Sequence, residues 1–185
     1  MIDPAYNPND STGPRKSRFW ALRHSARVQP RPWRWPLDNL DDREPIVLAQ
    51  GIVRRHGIDF GFESRPDDAT QLVPVYAAQD GEVMHCSETS TGYSISIDHQ
   101  PEGWATYYGH LSNVCVPLNV RFPHPLPRVR GGEVIGYAAR SPIHLRFALW
   151  QWTERGFVPV EPTGKLSEWV APLAKPNTTP LEVAA

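Results

Sequence analysis

The segments RRHGIDF (residues 54–60) and IHLRFAL (residues 143–149) decide how this chain is read. In the second, Ile143, Leu145, Phe147 and Leu149 alternate with His144, Arg146 and Ala148. Such alternation marks a strand with one face in a core. His144 and Arg146 therefore share the opposite face. In the first segment, residues two or four apart would share a face, and residues three apart would not. Arg55 lies four before Asp59 and falls on its face. His56 lies three before and faces away, unless a bulge at Gly57 swings it back, which glycine permits.

The same period of two runs outward from these segments. Tyr93, Ile95 and Ile97 alternate with Ser94, Ser96 and Asp98, and Val73, Val75 and Ala77 fall on one face. Ile46, Val47 and Leu48 form a short apolar run, and Val134, Ile135 and Tyr137 follow the Gly131-Gly132 turn. Twenty prolines and thirteen glycines in 185 residues favour turns over long helices. Only residues 164–170 read as helical. The expected fold is mainly β, an antiparallel sheet with long loops and little helix.

Charge is nearly balanced, at a net −1, so the surface as a whole does not advertise nucleic acid. No apolar run is long enough to span a membrane. The opening MIDPAYNPNDSTGPRK is polar and lacks the apolar centre of a signal peptide. The expectation is a cytoplasmic location by default, unless a non-classical route or phage lysis releases the protein. Cys86 and Cys115 are too few for a disulfide framework and are read as small apolar side chains. Residues 1–35 are read as a polar and basic tail and strap, 36–170 as the domain and 171–185 as a C-terminal tail. Residues 15–34 carry Arg15, Lys16, Arg18, Arg23, Arg27, Arg31 and Arg34 with no acid, alongside Phe19, Trp20 and Trp33. Two readings of this stretch stand: an arm for an anionic partner, or a strap whose aromatics pack while its arginines stay wet.

Several segments, in order, resemble the lysostaphin-type (LytM-like) zinc endopeptidases. HGIDFG (56–61) is similar to that family's His-x-Gly-x-Asp, TYYGHLS (106–112) to its Tyr-x-His-Leu, and HLRF (144–147) to its His-Leu-His-Phe. PVYAAQDGEV, GYSISIDH, VRGGEVIGYAA and VEPTGKLSEW resemble its further strands, turns and closing segment. The resemblance spans roughly residues 33–170 and implies an antiparallel β domain that acts on bacterial cell-wall peptide cross-links. PVYAAQDGEV also resembles the hairpin of biotinyl and lipoyl carriers, but no lysine stands at a suitable turn.

The resemblance also implies a tetrahedral zinc with three protein ligands and an open position for water. Asp59 matches the ligand aspartate, yet Arg55 and Arg146 stand at the two histidine-ligand positions. Arginine has five N–H donors, no lone pair to give and a permanent charge, so it cannot ligate zinc. The expectation is that Arg146 or Arg55 pairs with Asp59 and takes the place of the metal. His110 and His144 match the positions that assist proton transfer in the family, a role suited to imidazole, and Tyr108 matches the tyrosine of Tyr-x-His-Leu and joins them as a catalytic candidate. His99 matches a strand-end position and is read as structural. His24, His85 and His124 match nothing and are read as solvated or packed.

Two function classes follow. One is a catalytically impaired relative, retained to bind peptidoglycan peptide or a protein partner, with no cofactor expected. The other is a working zinc endopeptidase whose ligands are drawn from His56, Asp59, His144 and His110.

Overall fold

The computed structural model describes residues 32–38, 45–50, 57–62, 72–99, 103–120, 125–139, 145–154 and 156–169. Its strands are β1 (Ile46–Gln50), β2 (Ile58–Gly61), β3 (Leu72–Tyr76), β4 (Gly81–Thr89), β5 (Gly92–His99), β6 (Trp104–Val114), β7 (Arg128–Val129), β8 (Val134–Ala139), β9 (Leu145–Thr153) and β10 (Gly156–Val160). The chain then enters helix α1 (Pro162–Trp169). Every strand pairing is antiparallel. The order is β1-β2-β9-β6-β5-β4-β7, with β10 beside β9, β8 beside β6 and β3 beside β8. No helix among the described residues is long and apolar enough to cross a membrane.

The alternating residues read from the sequence build the core. Val73, Val75, Ala77, Ile95, Ile97, Leu145, Phe147 and Leu149 are all buried, with Ile58 from β2 and Tyr108 from β6. The helix begins two residues before the 164–170 read from the sequence, with Pro162 at its first position. Glu161 caps it, accepting from the Thr163 and Gly164 amides at 2.9 and 2.7 Å. Leu166 is its buried anchor.

One strand gives the sheet its shape. Trp104–Gly109 of β6 pairs with β9, and Leu111–Val114 pairs with β8. His110 stands at the handover with φ 62°, a left-handed conformation that a β-carbon makes costly. The β5–β6 register also slips here, between the Tyr93↔Leu111 and Ile95↔Tyr108 pairs. Such bulges re-aim side chains and turn strands from one partner to another.

Residues 32–38 lie across the domain as a strap. The Arg34 amide donates to the Ala78 carbonyl and the Pro36 carbonyl accepts from the Tyr76 amide, both at 2.9 Å. Trp33 and Leu37 are buried. Trp33 meets the His99 ring edge-on at 5.0 Å, and Trp35 meets Phe60 at 5.8 Å. The Arg34 guanidinium lies 4.1 Å from the centre of the Tyr76 ring and also pairs with Asp38. Here the aromatics pack, as one of the two sequence readings has it. The basic residues from Arg15 to Arg31 lie outside the described residues.

His99 holds this junction together. Its Nδ1 faces the Asp80 carbonyl oxygen at 2.9 Å, so that nitrogen carries the ring proton. Nε2 then accepts from the Thr106 hydroxyl at 2.6 Å, and Thr106 hydrogen-bonds the Tyr108 hydroxyl at 3.1 Å. Burial pushes the imidazole down to about 4, against the smaller opposing pull of its Asp80 contacts. The unfolded chain therefore takes up this proton more readily than the folded one. His99 leaves stability intact above pH ~6.5 and withdraws it as pH falls towards ~4. We expect the melting temperature to drop across that window, and the drop to flatten in His99→Asn. An equal slope in parent and variant would remove His99 as its cause.

Candidate functional site

Asp59 and Arg146 are direct partners across β2 and β9. One nitrogen, Nη1 of Arg146, donates to both Oδ1 and Oδ2 of Asp59, each at 3.0 Å. The contact is thus a single donor bridging two oxygens, not the two parallel bonds of a guanidinium fork. The two side chains are 14% and 18% exposed. Both charges are largely withdrawn from water, so each depends on the other. Pairing of Arg146 with Asp59 is what the faces of the two sequence segments led us to expect.

Gly109 is the partner of Arg146 on the far side of β9. The row Asp59–Arg146–Gly109 thus ends one residue before His110, at the point where β6 changes partners. Tyr107, two residues earlier, is on the same face as Gly109. Its ring folds along the strand over that glycine: a β-carbon at Gly109 would stand 2.8 Å from the Tyr107 Cε1 and hydroxyl. Tyr107 is partly buried. Burial raises its hydroxyl above the usual tyrosine range, while a hydrogen bond with Ser94 and the charge of Arg146 act in the opposite direction.

Tyr108 occupies the other face. It pairs with Phe147 in register, and its side chain is fully buried. Its hydroxyl accepts from the Ala78 amide at 2.8 Å and is pushed up to about 12, chiefly by burial. Tyr108, a catalytic candidate by its place in the motif, is thus separated by the sheet itself from the Asp59–Arg146 pair. Tyr107 and Ser94, which the motif does not single out, lie on the side of the sheet that carries Arg146. Adjacent strand residues face opposite ways, but which one faces Arg146 depends on the register between β6 and β9.

Arg55, His56 and His144 lie outside the described residues. Gly57, next to His56, has φ 134°. A β-carbon there would stand 2.6 Å from the Phe147 carbonyl oxygen, so only glycine fits. Elsewhere, His85 Nε2 and Ser87 Oγ are 2.7 Å apart on β4. Cys86 is buried and free, with burial pushing its thiol up to about 11, and Cys115 is free and exposed.

The donor set argues against zinc at this pair. Zinc requires carboxylate, imidazole or thiolate lone pairs. Both oxygens of Asp59 already face a permanent cation, and a dication there would meet the guanidinium. No group of three His, Cys, Asp or Glu that could hold a metal occurs among the described residues.

The model of peptidase family M23 matches residues 54–161. No curated protein sequence matches the chain. Among solved structures, the lytM protein of Ruminococcus gnavus is 20% identical at a TM-score of 0.51, covering 73% of this chain and 57% of that one. The SpoIIIAH–SpoIIQ complex contributes a chain 18% identical at a TM-score of 0.51, covering 72% of this chain and 99% of that one. Lysostaphin from Staphylococcus simulans is 16% identical at a TM-score of 0.49, covering 73% and 55%. Another lysostaphin chain is covered over only 36% of its length. At these identities the structures speak for the fold alone.

Proposed function

The chain belongs to peptidase family M23, and we propose that it is a member that binds cell-wall peptide without cutting it. The observation that carries this reading is the Asp59–Arg146 pair, with both carboxylate oxygens 3.0 Å from one guanidinium nitrogen. The family is zinc-dependent in general. A zinc-bound water at neutral pH needs a cation held by electron-pair donors. Arg146 supplies positive charge at the carboxylate but cannot polarise a bound water in that way. A peptide-binding face survives such an exchange because fold and chemistry are separable.

A protein partner is the second reading. It draws on one specific observation, that a chain of the same fold occurs in a complex of SpoIIQ with SpoIIIAH. The working zinc endopeptidase would require Asp59 to leave Arg146.

The test is co-sedimentation with purified peptidoglycan sacculi carrying a covalent dye. The protein should pellet with the sacculi and release no soluble dye, with or without added zinc. Zinc-dependent dye release would contradict the proposal, and so would absence from the pellet.

A further inference from the structure

Resting on the reading that this face holds peptide, we infer that Tyr107 is a ligand-recognition residue. Its hydroxyl and the Asp59–Arg146 pair together bind the uncharged main chain of an extended peptide.

Four observations place it. Tyr107 shares a face with Gly109, whose register partner is Arg146. Its ring and hydroxyl occupy the space that a side chain at Gly109 would take, 2.8 Å from the ideal β-carbon position. That directs the phenol towards the ion pair. Ser94, itself buried, is a hydrogen-bonding neighbour of the hydroxyl. Tyr107 keeps partial exposure, whereas Tyr108 beside it has none.

The chemistry selects the ligand class. A guanidinium and a carboxylate held side by side sum to no net charge, so the pair exerts little long-range pull on an ion. At short range it offers N–H donors next to carboxylate acceptors. A peptide group offers the complement, one C=O acceptor and one N–H donor. The phenol hydroxyl can donate or accept, and so can meet either. With 14% and 18% of the pair exposed, contact is confined to a thin segment such as bare backbone.

The probe is acetyl-pentaglycine amide, which is backbone without side chains or charged ends, compared with pentaglycine bearing free termini. The parent should bind both within about twofold of each other, with little change between low and moderate salt. Tyr107→Phe keeps the ring and should keep the melting temperature, yet weaken binding about tenfold through loss of one hydrogen bond. Gly109→Ala should weaken binding similarly by displacing the far end of the Tyr107 side chain. Unchanged affinity in Tyr107→Phe would overturn the assignment, as would a strong preference for the charged peptide. Binding to sacculi by the parent, with no binding of either pentaglycine probe, would overturn this assignment and leave the proposed function standing. Failure of the parent to bind sacculi would overturn both.

Discussion

Arg146→Ala should cost the fold about 3 kcal/mol, and more if the site cannot admit water. The argument concerns what is left behind. Asp59 is 18% exposed and loses the one nitrogen that bonds both of its oxygens at 3.0 Å. A largely desolvated carboxylate without its counter-charge is among the costlier defects a point mutation can create. At this chain length the loss corresponds to roughly 6–12 °C in melting temperature. The pair as a whole is a different matter. Replacing both partners by apolar side chains of similar volume, Asp59→Leu with Arg146→Met, should recover most of the loss, because two desolvated charges are removed together. The four proteins of this cycle should therefore show strong coupling. A cost near zero for Arg146→Ala would mean that the pair behaves as an exposed surface contact.

This behaviour bears on why the site has the form it does. The register that pairs Asp59 with Arg146 also pairs Ile58 with Phe147 and Phe60 with Leu145. The apolar neighbours of the charged residues thus set which strands meet, and the charges follow on the opposite face. A guanidinium at residue 146 compensates Asp59 with no metal. It also ties β2 to β9 at the place where β6 leaves β9 for β8.

Much of this was legible in the sequence because it depends on parity alone. The alternation around Ile95 and Ile97 gave a strand, and so did that around Leu145 and Phe147. The shared face of His144 and Arg146 placed the arginine away from the core. What parity cannot supply is register between strands. Tyr107 and Tyr108 are equally good strand residues, and only the register of β6 against β9, which pairs Gly109 with Arg146 and Tyr108 with Phe147, decides which of them faces Arg146. Parity also misjudged the second face of β5. Ser94 and Asp98 alternate with apolar neighbours, as in a solvated face, yet they are 3% and 4% exposed. At Ser94 the reason lies on the next strand, where Tyr107 hydrogen-bonds it. The strap shows a third limit. Pro32, Pro36 and the surrounding basic residues suit an exposed extended chain, and nothing local says that Trp33 will pack against His99.

The central claim is that arginine has replaced a metal ligand at Asp59, and restoring histidine tests it most directly. The family's ligand spacing returns with Arg55→His and Arg146→His together, beside the retained Asp59. Three ligands and an open position make a zinc site, whereas one or two beside a remaining guanidinium make a poor one. Each single variant should therefore gain little, and the double variant should gain at least about a hundredfold in zinc affinity, since each added imidazole would bind the metal directly. Zinc titration by competition with a chromogenic chelator, on parent, both single variants and the double variant, reads this without requiring activity. Our account predicts weak binding by the parent and both singles, and tight one-to-one binding by the double variant. Tight stoichiometric zinc binding by the parent, or a double variant that binds no better than the parent, would contradict it.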